Sequence, residues 1–115
     1  MKKLIRFLSV MMFVFSGTAL AHVQLKESAP SDDTILTDSP QVLSLTFSSD
    51  VRIVRASLSN QQGKKIDFGF KPSMQSDNHF SWQLPKLVAE DYTVEIIFFG
   101  TDGHKMKESL SFTVS

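Results

Sequence analysis

Residues Tyr92 to Ser115 read YTVEIIFFGTDGHKMKESLSFTVS, and this stretch decides the fold. From Tyr92 to Gly100 most positions are β-branched or aromatic, and Ile96 to Phe99 are apolar without interruption. That composition predicts a central strand whose two faces are both covered near its end. Further on, Leu110, Phe112 and Val114 alternate with Ser111 and Thr113, the pattern of a strand with one buried face. Between them lies Asp102-Gly103, a pair that favours a tight hairpin turn.

The same period of two continues outward. Leu43, Leu45 and Phe47 alternate with Ser44 and Thr46, and Phe80, Trp82 and Leu84 alternate with Ser81 and Gln83. Turn-forming clusters at APSDD, DSP, NQQGKK, KPSMQSDN, PKLVAED and GTDGHK punctuate these runs, so each strand is expected to be short. No segment of useful length carries a helical period. About seven short antiparallel strands predict one all-β domain, a sandwich or small barrel of the immunoglobulin or cupredoxin kind. No repeat, linker or low-complexity tract divides it.

The first residues have a different character. Lys2, Lys3 and Arg6 precede an apolar run from Leu4 to Phe15, and Ala19-Leu20-Ala21 is a small-x-small pattern. This predicts a secretory signal over residues 1–21, cleaved to leave 22–115. The apolar run falls short of the roughly 20 residues that a membrane-spanning helix needs. The signal would take three of the 12 basic residues and none of the 12 acidic ones. The remaining chain is mildly acidic and has no basic stripe with interleaved aromatics, which argues against nucleic acid as a partner. With no cysteine in the chain, an exported domain of this size must rely on its hydrophobic core rather than on disulfides.

Few catalytic signatures are available. The chain has no G-x-S-x-G elbow, cysteine nucleophile or Gly-rich phosphate loop. The pairs Asp32-Asp33 and Glu90-Asp91 lie in predicted turns, where Asp is favoured because it bonds its own backbone. The informative residues are therefore the three histidines, His22, His79 and His104.

Asp102 and His104 are two apart, and such residues on extended backbone project to the same side. On its own, that spacing is weak evidence for a metal site, because an Asp-Gly hairpin accounts for it. Cleavage after Ala21 would add a free α-amine beside the imidazole of His22. His22 would then offer two nitrogens in one chelate ring, His104 a third nitrogen and Asp102 an oxygen. Three nitrogens and one oxygen in a plane suit Cu(II) better than tetrahedral zinc or an oxygen-seeking ion such as calcium. The bland alternative is a peptidase site that happens to precede a histidine on a frayed end. His79 is expected to precede a strand, as a surface or turn residue.

AHVQLKESAPSDDTILTDSPQVLSLTFS and YTVEIIFFGTDGHKMKESLSFTVS together resemble the opening and closing segments of the CopC/YobA family of periplasmic copper-binding proteins. The resemblance spans residues 22–115. It implies a Greek-key β-sandwich, often described as cupredoxin-like, that binds Cu(II) through its N-terminal histidine and an Asp-x-His loop. By position these are His22, Asp102 and His104. It also implies a periplasmic location, a role in copper homeostasis or resistance, and service beside a CopD-type inner-membrane protein. A monomer is expected.

The chain departs from the family pattern at several positions. Val23 stands where proline often follows the first histidine, Ser49 and Asp50 occupy a place usually opened by an acidic residue, and Glu108 replaces a glycine. The last change is expected to alter the entry to the final strand. Some members carry a Met-rich Cu(I) site in mid-chain. Here the corresponding FKPSMQSDNHF offers only Met74 and His79, too few soft donors for a dedicated site. Met106 follows His104 by two residues, a spacing that would allow it near the copper, but it is expected instead to fill a gap at the edge of the sandwich.

Three classes of function remain open on sequence. The leading one is a Cu(II)-binding module that is not an enzyme. The second is a histidine-brace copper oxidase, disfavoured by the short chain and the lack of long loops for a substrate face. The third is a metal-free adhesive or chaperone-like sandwich in which both histidines are incidental.

Overall fold

Period-two patterning sets the architecture. The computed structural model describes residues 23–115, which form seven strands and no helix. In chain order these are β1 (Leu25–Ala29), β2 (Thr34–Leu36), β3 (Val42–Asn60), β4 (Lys65–Ile66), β5 (Asp77–Gln83), β6 (Asp91–Gly100) and β7 (Lys105–Val114). The strands run β1-β3-β6-β7-β2 across one continuous sheet, with β4 and β5 also paired to β3. The expected signal segment and His22 lie outside the described residues.

The organising element is β3, which spans 19 residues rather than being short as expected. Its first half, through Phe47, lies between β1 and β5, with Leu25 opposite Phe47 and Phe80 opposite Leu45. Its second half pairs with β6 from Val51 to Asn60 and with β4 at its end. Ser48, Ser49 and Asp50 are exposed at the changeover, so one strand serves two layers and the sheet curls over a shared core. Phe47, from the first layer, meets Phe98 of β6 with ring centroids 4.8 Å apart. Both are buried.

Maintaining that core along so long a strand requires a change of phase. Leu43, Leu45, Phe47, Val51 and Ile53 are buried at odd positions, whereas Ala56 and Leu58 are buried at even ones. The ladder with β6 shifts between Ile53 and Arg55. A β-bulge that places one extra residue, Val54, in β3 restores the inward face for Ala56 and Leu58. Without it, strict alternation would turn Leu58 to solvent.

Pairing is not antiparallel throughout, as the turn pattern had suggested. β2 runs parallel to β7, with Ile35 opposite Thr113. The expectation for Tyr92 to Gly100 agrees with the structure: β6 is flanked by β3 and β7, buries Tyr92, Val94, Ile96 and Phe98, and half-buries Ile97 and Phe99. Tyr92 anchors its start, its hydroxyl donating to the Val88 carbonyl at 2.7 Å. Among the described residues, all the buried apolar side chains belong to one cluster.

Candidate metal site at the β6–β7 turn

The end of β6 and the start of β7 are joined by residues 101–104, of which Thr101, Asp102 and Gly103 are enclosed by a backbone hydrogen bond between Gly100 and His104. The Gly100 N–H donates to the His104 carbonyl at 3.2 Å, and the Gly103 N–H donates to the Gly100 carbonyl at 3.0 Å. Gly103 has φ +84°, the left-handed conformation that closes a three-residue hairpin loop and that glycine adopts without a steric penalty. The Asp-Gly pair thus forms the hairpin that the sequence predicted, and it also sets the position of Asp102.

Asp102 and His104 are brought together directly. Asp102 Oδ1 accepts the His104 backbone N–H at 3.1 Å, and Asp102 Oδ2 lies 2.8 Å from His104 Nδ1. The His104 backbone N–H is the chief reason the Asp102 carboxyl is held below the usual aspartate range, and the imidazole adds to it. Asp102 therefore presents a charged carboxylate. The His104 side chain is 80% exposed and that of Asp102 43%. In the tautomer that donates from Nδ1, the other ring nitrogen carries a lone pair, and a carboxylate held against one imidazole nitrogen orients the ring for metal binding at the other.

Buried Gly100 marks where other parts of the chain approach this loop. A β-carbon placed on it would lie 3.1 Å from Asp102 Oδ1, 3.2 Å from Met106 Cε and 3.4 Å from Val23 Cγ2. The N-terminal arm, the loop carboxylate and a methionine of β7 thus crowd one point. The arm is held there by reciprocal bonds. The Gln24 N–H donates to Ser48 Oγ at 2.9 Å, and the Ser48 N–H donates to the Gln24 carbonyl at 2.8 Å. Proximity of Met106 and Val23 to Asp102 has no local signature in sequence, because it follows from pairing between distant strands.

The remaining candidates lie elsewhere or take other roles. His79 is within β5 instead of preceding a strand, and its Nδ1 is 2.9 Å from Thr46 Oγ1. Asp77 and Asn78, read as turn residues, are part of the same ladder. Met74 is 84% exposed. Glu108 sits in mid-β7 opposite Ile96, three residues after the strand begins at Lys105. Asp50 is exposed at the β3 changeover, beside Val51, which pairs with Gly100. Among the described residues no three His, Cys, Asp or Glu side chains form a cluster able to hold a metal. Asp102 and His104 are two such donors, and the third expected donor, His22, lies outside that range.

An all-β chain with an Asp-x-His hairpin beside its N-terminal arm defines the class, and the comparisons with known proteins name it. A model of the CopC domain matches residues 25–115, and the chain belongs to the CopC family. The crystal structure of CopC from Methylosinus trichosporium OB3b superposes with a TM-score of 0.68 at 26% identity, covering 82% of this chain and 94% of that one. PcoC, a methionine-rich copper resistance protein from Escherichia coli, shares the fold with a TM-score of 0.62 at 23% identity, covering 83% of this chain and 100% of its own. No curated relative matches the chain.

Proposed function

We propose that this protein holds one Cu(II) ion in the periplasm for copper homeostasis or resistance, buffering the ion or passing it to a membrane partner of the CopD type. Its ligands in this reading are the α-amine and Nδ1 of His22, freed by cleavage after Ala21, the imidazole of His104 and a carboxylate oxygen of Asp102. The observation that carries the reading is the approach of Val23 and Asp102 to the same face of Gly100. The clasp at Gln24 and the contact of Val23 with the loop support His22, the next residue along the chain, as the further ligand in this reading. Membership of the CopC family and the copper resistance role of PcoC support the choice of metal.

The test compares the chain beginning at His22 with one carrying an extra residue before it, by Cu(II) titration and electron paramagnetic resonance. One-to-one binding with a tetragonal, nitrogen-rich spectrum, lost or altered in the extended form, is expected. Equal, weak binding by both forms would overturn the reading. Ascorbate-driven peroxide formation above that of free copper would instead favour an oxidase.

A further inference from the structure

The Met106 thioether has a position that the Cu(II) reading does not use. β7 turns Met106, Glu108 and Leu110 toward the covered side of the sheet, while Lys105, Lys107 and Ser109 are exposed. Met106 is half-buried against the core, two residues beyond His104. Its methyl carbon and Asp102 Oδ1 lie 3.2 and 3.1 Å from the same point above Gly100. The hairpin therefore gathers a hard carboxylate, an imidazole and a soft thioether within a side chain's reach of one another. Thioether sulfur favours Cu(I), whereas carboxylate oxygen favours harder ions.

We propose that Met106 is a Cu(I) ligand of this same site, so that the Asp102–His104 hairpin binds copper in either oxidation state. In the reduced state the thioether replaces the carboxylate beside His104. The inference rests on the Cu(II) reading of the hairpin and deepens it. It differs from a dedicated mid-chain methionine site, for which Met74 and His79 supply too few donors.

Sulfur in this chain is scarce enough for a clean test. There are no cysteines, and three of the five methionines fall within the first 12 residues, leaving Met74 and Met106. The chain beginning at His22 is titrated anaerobically with Cu(I) against a chromogenic Cu(I) chelator, and separately with Cu(II), alongside Met106→Leu and Met74→Leu. Leucine fills a similar volume without a donor atom, so the core is retained. Met106→Leu is expected to weaken Cu(I) binding at least tenfold and leave Cu(II) binding within about twofold. With Cu(II) affinity unchanged, each tenfold loss for Cu(I) lowers the midpoint potential by about 59 mV for a one-electron couple. Met74→Leu is expected to change neither affinity. X-ray absorption of the Cu(I) form should show a sulfur neighbour that disappears only in Met106→Leu. Unchanged Cu(I) affinity in Met106→Leu, with Cu(II) binding intact, would overturn this inference alone. Failure of the parent chain to bind either ion would overturn the Cu(II) reading along with it.

Discussion

Replacing Gly100 with alanine should separate metal binding from folding. Gly100 is a buried strand residue outside the positive-φ region, so alanine suits its backbone. Restricting the unfolded chain then contributes about 0.4–1 kcal/mol of stability. Against this, the new methyl would stand 3.1 Å from Asp102 Oδ1 and 3.2 Å from Met106 Cε, close enough that both must move by a few tenths of an ångström. Moving Asp102 loosens its solvent-exposed bond from the His104 N–H, which offsets that gain. The two effects nearly cancel, so the net change should be within about 1 kcal/mol, or about 4–8 °C in Tm for a domain of this size. Copper has no such offset. Displacing a carboxylate that binds or orients a metal ligand typically weakens the site 10- to 100-fold. Urea denaturation of the apo-protein and Cu(II) competition titrations measure the two quantities. Unchanged copper affinity in a stably folded Gly100→Ala protein would refute the idea that the ion lies beside Gly100.

Two further predictions concern the frame. Tyr92→Phe removes the bond to the Val88 carbonyl and should cost about 1 kcal/mol at neutral pH, read from urea midpoints. Burial, reinforced by the nearby negative charge of Glu90, raises the Tyr92 pKa above 10.0. The neutral phenol's contribution is therefore full below the unfolded-state pKa of about 10 and is lost as pH rises through the higher folded value. Tyr92 is the single tyrosine, so its ultraviolet titration reports this directly, and a midpoint at or below 10 would contradict the assignment. Deleting Val54 removes the bulge residue and leaves Ala56 and Leu58 facing inward, so a cooperative unfolding transition should survive. Deleting Ser57 instead turns buried Leu58 outward and should abolish that transition, as monitored by near-ultraviolet circular dichroism.

What was legible in the sequence was local. Alternation at Leu110, Phe112 and Val114 and the Asp102-Gly103 turn report interactions between residues close along the chain, and the β6–β7 hairpin follows from them. The unbroken length of β3 was also written in the absence of glycine and proline between Val42 and Asn60, but the polar run Ser48-Ser49-Asp50 interrupts the apolar pattern and disguises it. Thr34–Leu36 is too short for any period to show, and its parallel pairing depends on where β7 lies. Asp77 and Asn78 have the chemistry of turn residues, yet pairing with β3 draws them into β5. At the site, Asp102 and His104 were visible as a spacing. The clasp of Gln24 on Ser48 and the crowding of Val23 and Met106 at Gly100 were not, because they join segments separated by tens of residues.

The changeover in β3 explains why these features meet at one end. Phe47 still pairs with β1, and four residues later Val51 pairs with Gly100 of β6 and Asp77 of β5. The exposed residues between them leave Ser48 free to hold the N-terminal arm, while the buried residues on either side fix the turn to the core. A site built this way is rigidly placed but wet, with His104 80% exposed and Asp102 43%. Water around an exposed carboxylate screens its attraction for a cation, so Asp102 alone is a weak anchor for copper. Affinity must then come from the number of nitrogen donors and the chelate ring that links them. Under the proposed reading, cleavage before His22 should therefore convert weak copper binding by the hairpin into tight binding.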